Sequence, residues 1–244
     1  MIKIFLFGIS GKMGNFIVDC CRNTDCEVVG GYDIVAHPTI PTFTSVSDIS
    51  VDFDVIVDFS RACLLSEVVK LAKATKKGVV FATTGYSEED EKVISDLSTL
   101  VPVLRSGNMS VGVNLLLSLV ETATKALADK FDIEIIEKHH NQKADAPSGT
   151  ALMLANEVKK IKTDAKYLYG RQGESKREKE DVTIHAVRGG TIVGEHDVIF
   201  AGNDEIITLS HTALSRKIFA EGAIKAARFI ATATPGLYSM KNAL

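Results

Sequence analysis

Through the first hundred residues, short apolar runs alternate with longer stretches in which apolar residues recur every three or four positions. That alternation is the signature of repeated strand–helix units on a parallel sheet. The runs Ile2 to Phe7, Glu27 to Tyr32, Asp54 to Phe59, Gly78 to Thr83 and Val101 to Leu104 are rich in β-branched residues and predict buried strands. Between them, Met13 to Arg22, Leu64 to Lys76 and Glu88 to Leu97 carry the helical spacing, with Ser87 and the acidic residues after it as a helix start. Pro38 and Pro41 break the pattern, so Ala36 to Ser50 is expected to be a loop.

Beyond Asn108 the pattern changes. A long apolar helix, Val113 to Leu127, is followed by a strand, Asp132 to Glu137, a polar loop and a helix from Ala151 to Lys160. Gly170 to Asp181, rich in Gly, Lys, Arg and Glu, predicts a solvated, mobile connector. Val182 to Val187, Glu195 to Ala201 and Glu205 to His211 follow as strands joined by Gly-containing turns, which predicts a mixed or antiparallel second sheet. The last helix, Ser215 to Ala231, is expected to pack back on the first domain. The fold class is therefore α/β, an N-terminal parallel-sheet domain plus a smaller α+β domain with a mixed sheet.

Composition narrows the function classes. The 244 residues carry 28 Lys plus Arg against 31 Asp plus Glu, a net charge of −3, and 45% are hydrophobic. A nucleic-acid binder would carry a basic excess and a disordered chain would lack this apolar fraction, so neither is expected. Cys20, Cys21, Cys26 and Cys63 form no C-x-x-C pair, which argues against a zinc site or a disulfide framework. The apolar N-terminus stops at Gly8, too soon for a signal peptide, and no segment approaches the roughly 20 apolar residues of a membrane span. A cytoplasmic protein, not a membrane one, is the expectation.

Directly after the first strand stands Gly8-Ile9-Ser10-Gly11-Lys12-Met13-Gly14, a G-x-x-G-x-x-G loop opening a helix. A pyrophosphate needs backbone N–H groups at a helix N-terminus with no side chain in the way, and glycine supplies both. Asp33 ends the next strand, where a carboxylate can accept hydrogen bonds from adenosine ribose hydroxyls. It would also repel a 2′-phosphate, and Ile34 rather than a basic residue follows it, so NADH is favoured over NADPH. Lys12 is a nearby cation that would rescue NADPH. Ala82-Thr83-Thr84-Gly85 and Ser106-Gly107-Asn108-Met109 fall at strand ends on the same sheet edge, either as nicotinamide-side contacts or as ordinary turns.

The densest chemistry lies in Glu137-Lys138-His139-His140-Asn141-Gln142-Lys143 and the residues after it. A group titrating near neutrality beside cations suits a site that protonates a substrate and holds carboxylates. Metal binding is the rival reading, weakened because adjacent histidines on a strand point to opposite faces and no H-E-x-x-H occurs. Pro147-Ser148-Gly149-Thr150 starts the next helix with Ser148 as cap, and the N–H groups of Gly149 and Thr150 suit an anionic carboxylate. A helix cap with no ligand is the alternative.

The run from Glu137 through Ala144-Asp145-Ala146-Pro147-Ser148-Gly149-Thr150-Ala151 resembles the signature of the 4-hydroxy-tetrahydrodipicolinate reductase (dihydrodipicolinate reductase) family of lysine and diaminopimelate biosynthesis. The resemblance extends to the glycine loop, Asp58-Phe59-Ser60, Thr83-Thr84-Gly85, Asn108 through Asn114, His185 through Gly190 and Gly194-Glu195-His196, so most of the chain is covered. It implies a homotetramer with a Rossmann-like dinucleotide-binding domain at 1–109 and 217–244, and a substrate-binding and oligomerisation domain at 110–216. It implies His139 as acid/base, Lys143 as proton donor, and His140, Gly149 and Thr150 as ligands of a small dicarboxylate substrate. The cofactor, NADH or NADPH, would touch Gly8, Ile9, Ser10, Gly11, Lys12, Met13, Asp33, Ala82, Thr83, Thr84, Ser106, Gly107, Asn108 and Met109. Hinges near Asn108 to Ser110 and near Arg216 would close a cleft. Three positions depart from the family pattern: Ala82 replaces a usual glycine, Ile34 a frequent basic residue and Thr212 a frequent arginine.

The implied reaction is NAD(P)H-dependent reduction of 4-hydroxy-tetrahydrodipicolinate, after loss of water, to tetrahydrodipicolinate. A nicotinamide-binding regulator without turnover is the competing class, which the glycine loop permits and the His139, His140 and Lys143 cluster disfavours. Reduction of another imine, as by an amino acid dehydrogenase, is the competitor among enzymes.

Overall fold

The computed structural model describes residues 1–22 and 24–244, which form two compact units, 1–111 with 216–244 and 112–215. In chain order the elements are β1 (Ile2–Phe7), α1 (Lys12–Cys21), β2 (Cys26–Tyr32), β3 (Thr42–Phe43), β4 (Val55–Asp58), α2 (Leu65–Thr75), β5 (Gly78–Phe81), α3 (Glu88–Leu97), β6 (Pro102–Arg105) and α4 (Val111–Leu127). There follow β7 (Asp132–His139), α5 (Gly149–Ile161), β8 (Lys166–Tyr169), β9 (Asp181–Arg188), β10 (Gly194–Ala201), β11 (Ile206–Ala213), α6 (Lys217–Thr232), β12 (Gly236–Tyr238) and α7 (Met240–Ala243).

The first unit is an all-parallel seven-stranded sheet in the order β12-β6-β5-β4-β1-β2-β3. Both faces are covered, which explains why its strands read as continuous apolar runs. Along β1, Ile4 and Leu6 enter the core under α1 and α6, whereas Phe5 and Phe7 enter the core under α2 and α3. The strand order reverses between β1 and β4, so Gly8 and Phe59 flank the crevice where such sheets bind ligands. The expected last helix belongs here as α6, burying Ala220, Ala223, Ala227 and Ile230 against the sheet.

The second unit is a mixed five-stranded sheet in the order β11-β10-β7-β9-β8. β10 pairs antiparallel with β7 and β11, while β7, β9 and β8 run parallel. Alternate residues of β7 and β10, including Ile133, Ile135, Val198 and Phe200, face a core shared with α4 and α5.

Three details depart from the sequence expectation. The segment 36–50 contains the two-residue strand β3 and a 3-10 turn at Val46–Asp48. β8, β12 and α7 were not foreseen, being too short to show a period. The 170–181 connector is tethered rather than bare: Arg177 reaches Asp132 at 2.7 Å and Glu134 at 3.2 Å, and donates to the carbonyl of Asp181.

Gly222 makes the packing of α6 testable. A Cβ there would lie 1.7 Å from the carbonyl oxygen of Met109, a backbone atom that a rotamer change cannot move. Helix propensity favours Ala over Gly by about 1 kcal/mol, but a steric conflict inside a packed core costs about 1–3 kcal/mol. Gly222→Ala is expected to lower the urea midpoint of unfolding, and a raised midpoint would show that the helix has room to shift.

Candidate active site

The glycine loop occupies the switch point. Gly8 adopts φ +82°, a left-handed conformation, and a Cβ at Gly14 would sit 2.2 Å from the carbonyl oxygen of Ile9. The cap residue of α1 is Gly11, so no side chain fills that helix end, in contrast to α3, where Ser87 and Asp90 form a capping box. An uncapped first turn leaves backbone donors and a positive dipole end for an anion. The carboxylate of Asp33 accepts from the backbone N–H of Ser10 at 3.0 Å and of Ile34 at 2.8 Å. It lines a hollow of about 510 Å³ together with Gly8, Gly11, Phe59, Ser60 and Arg61. Lys12 is not among the lining residues, whereas Arg61 is, a cation that sequence reading passed over.

The segments 82–85 and 106–109, after β5 and β6, are held by polar groups around them. Fully buried Asp58, at the end of β4, accepts from the hydroxyl of Ser60 at 2.5 Å and that of Tyr86 at 2.7 Å. Arg105 lies over the Tyr86 ring and donates to the carbonyl oxygen of Thr83 at 3.1 Å. Ser106 donates to the carbonyl of Asn108 at 2.7 Å, and Ala82 and Met109 are buried.

The second cluster is built on β7, where Glu137 and His139 stand two residues apart and share a face. Glu137 is wholly buried, and its carboxylate accepts four hydrogen bonds. Oε2 takes His139 Nδ1 at 2.6 Å and Arg188 Nη1 at 2.8 Å; Oε1 takes Arg188 Nη2 at 2.7 Å and the Ser148 amide at 3.0 Å. Burial pushes the Glu137 carboxyl up, but Arg188, His139 and the Ser148 amide outweigh it and hold it below the usual range. Because a carboxylate only accepts, His139 must donate from Nδ1, which puts the lone pair of the neutral imidazole on Nε2. Burial pushes the His139 imidazole down despite the opposing pull of Glu137, and the Lys143 ammonium acts in the same direction as burial.

The loop after β7 is folded back by its own backbone. Asn141 N–H reaches the Gly190 carbonyl at 3.2 Å, and Lys143 N–H reaches that of His140 at 3.1 Å. Lys143 Nζ lies 2.7 and 2.8 Å from the two carboxylate oxygens of Asp145, which holds the Asp145 carboxyl below its usual range. Arg188 ties the same loop down by donating to the Asp145 carbonyl at 2.6 Å. Ser148 caps α5 through the Ala151 amide at 3.2 Å, and Gly149 and Thr150 form its first turn. His139 thus ends β7, half-buried His140 and Lys143 follow in the loop, and Gly149 and Thr150 open α5.

Two matches to family models divide the chain between them: "Dihydrodipicolinate reductase, N-terminus" covers residues 2–109 and "Dihydrodipicolinate reductase, C-terminus" covers residues 112–244. The chain belongs to the dihydrodipicolinate reductase family. Relatives named 4-hydroxy-tetrahydrodipicolinate reductase include one from Clostridium botulinum, 48% identical, with 100% of this chain and 98% of the relative covered. Another, from Caldanaerobacter subterraneus, is 47% identical, with 99% of this chain and 98% of the relative covered. A solved structure described as dipicolinate-bound dihydrodipicolinate reductase from Paenisporosarcina sp. TG-14 superimposes with a TM-score of 0.85 at 24% identity, covering both chains completely. A diaminopimelate dehydrogenase of C. glutamicum shares the fold more distantly, with a TM-score of 0.59 at 13% identity over 98% of this chain.

The sequence singles out His139 and Lys143 but not the groups packed around them. Glu137 and Arg188 are 51 residues apart, and only their parallel strands bring them together. Glu137 sits two residues before His139 in an alternating strand, a signal that was available. His196 was quoted only as part of the resemblance, yet its ring stands edge-on to His139 with centroids 5.1 Å apart. No group of three or more His, Cys, Asp or Glu among the described residues is arranged to hold a metal.

Burial, reinforced by the nearby His139, pushes His196 down to about 4. An unfolded chain protonates this histidine near pH 6.5 while the folded one resists, so stability is complete above about 6.5 and is lost as pH falls toward 4. The depressed Glu137 adds a loss of the same sign at lower pH. The urea midpoint is expected to fall across pH 6.5 to 4, reflecting a loss of unfolding free energy on the order of a few kcal/mol for His196 alone. His196→Phe should flatten that slope, and an unchanged slope would place the acid sensitivity elsewhere.

Proposed function

We propose that this chain catalyses the reduction of 4-hydroxy-tetrahydrodipicolinate, after loss of water, to tetrahydrodipicolinate, using NADH in preference to NADPH. The observation that carries the reading is a histidine with one nitrogen locked by a buried carboxylate, set beside an ammonium and the start of a capped helix. Such a group moves a proton at a single defined atom, and the cationic neighbours suit a substrate with carboxylates.

Bound nicotinamide supplies the hydride. The residues around the glycine loop fit it: the Gly8-to-Met13 turn would hold the pyrophosphate at the uncapped start of α1, Asp33 the ribose, and Ala82 to Thr84 with Ser106 to Met109 the nicotinamide side. Asp33 disfavours a 2′-phosphate, while Arg61 in the same hollow offsets part of that repulsion and keeps NADPH usable.

In the second unit, the start of α5 at Gly149 and Thr150 holds one substrate carboxylate, with His140 and Lys143 completing the contacts. Hydride addition to the conjugated C=C–C=N system leaves electron density on the neighbouring ring carbon, which needs a proton. His139, entering the step as the imidazolium whose charge Glu137 balances, delivers its Nε2 proton and is left as the neutral imidazole still donating from Nδ1 to Glu137. Lys143 stabilises the developing charge and is the second proton source. Its grip on Asp145 marks where a substrate carboxylate competes for it.

A coupled assay tests this reading. With substrate generated from pyruvate and aspartate semialdehyde by a purified synthase, NADH absorbance should fall faster than NADPH absorbance at equal concentrations. His139→Gln should cut kcat by about 100-fold or more while leaving the Kd for NADH unchanged. Full turnover by that variant would remove His139 from the chemistry, and binding of NADH without any oxidation would favour a regulator.

The working assembly in this reading is a homotetramer built on the mixed sheet. Ile136, Val187, Ile199 and Ile206 alternate with the core positions of their strands, so they share the face turned away from α4 and α5 and join no core cluster among the described residues. β11 adds an open edge of eight residues. Light scattering should return four times the 26.4 kDa chain mass, and Ile199→Lys should lower it; a monomeric wild-type protein would refute the assembly.

A further inference from the structure

His196 lies on β10, in register with Glu137 of β7 on one side and His211 of β11 on the other. Its Nε2 is 3.0 Å from Ser148 Oγ, while its buried Nδ1 meets no hydrogen-bond partner among the described residues. Ser148 Oγ also accepts the Ala151 amide at 3.2 Å, and Ser148 is only 2% exposed. A neutral imidazole and a hydroxyl hold two hydrogens between them, and the bond that joins them uses one. The other has two places to go. On Nδ1 it is an N–H sealed away from water and from any acceptor, an arrangement that folded proteins rarely retain. On Ser148 Oγ it lies at the start of α5, beside Gly149 and Thr150.

We infer that His196 is a positioning residue: by donating from Nε2 it fills the second acceptor site of Ser148 Oγ and turns the Ser148 hydrogen toward the substrate carboxylate held at the start of α5. Ser148 then adds a side-chain donor to that cradle, while its backbone amide holds Glu137 and, through it, His139. This rests on the reading of α5 as a carboxylate site. It extends that reading by naming the group that aligns a donor there without touching the substrate.

The probe is pyridine-2,6-dicarboxylate, measured by calorimetry on the full-length protein and as a competitive inhibitor in the coupled assay. His196→Phe keeps a ring edge against His139 but has no donor. It should weaken the probe and raise the substrate KM by about ten-fold or more, the worth of a hydrogen bond to a charged group, with kcat nearly unchanged. His196→Gln, whose amide can place an N–H near the lost Nε2, should recover most of the affinity. In a Ser148→Ala background His196→Phe should cost nothing further, because the hydroxyl it aligns is gone.

Unchanged affinity in His196→Phe would overturn the inference, as would an equal loss in the Ser148→Ala background, which would mean that the ring acts by packing. A fall in kcat alone would assign His196 to His139 instead. Failure of the parent reading looks different: wild-type protein would not bind the probe at all, and the inference would fall with it.

Discussion

Burial of the Glu137 charge is the constraint around which the second unit is organised. A carboxylate taken wholly out of water is tolerable only when its lone pairs are filled, and here four donors fill them: two from Arg188, one from His139 and one from the Ser148 backbone. The three donor residues come from different pieces of structure. Arg188 ends β9, His139 ends β7, and Ser148 starts α5. Satisfying one carboxylate therefore fixes the ends of two strands and the entry of a helix at the same point. The loop between them, with Lys143 and Asp145, is tied to the same point by Arg188 through the Asp145 carbonyl. Removing Arg188 would leave the charge buried with half its donors, which is why such arrangements are costlier to break than to have omitted.

The first unit solves a different problem by different means. The turns after its strands are fixed by polar groups behind them. Asp58 holds Ser60 and Tyr86, and Arg105 holds Tyr86 and the Thr83 carbonyl. Asp33 pins the glycine loop from the other side through the Ser10 amide. Glycine at position 14 lets α1 start tight against the loop, since the space a Cβ would need is taken by the Ile9 carbonyl.

Much of this was readable in the chain. Apolar periodicity located α3 at Glu88–Leu97 and β1 at Ile2–Phe7 to the residue, because both elements carry strong local signals: a capping box in one, a fully buried run in the other. The glycine loop and the His139 and Lys143 cluster were legible because they are contiguous. What stayed hidden depends on distance along the chain. Arg188 reads as one more basic residue in a turn until β9 lies beside β7, and His196 reads as a strand residue until β10 sets it against Ser148. Arg61 follows a strand by three positions, and only the folded crevice brings it to the same hollow as Asp33. β3 and β12, with two and three residues, are strands because a neighbour pairs with them and not because of their own composition.

The place of α6 in the chain has a consequence for biosynthesis. The face of the parallel sheet that receives Ile4, Leu6, Val55 and Val80 is closed by Ala223, Ala227 and Ile230, residues the ribosome adds only after the whole mixed-sheet unit has been made. Until then the nascent first unit carries an open apolar surface over its central strands, the kind of surface that chaperones recognise. The mixed-sheet unit, whose core draws only on residues 113–209, has no such wait. Although it is second in sequence, it can complete its core first.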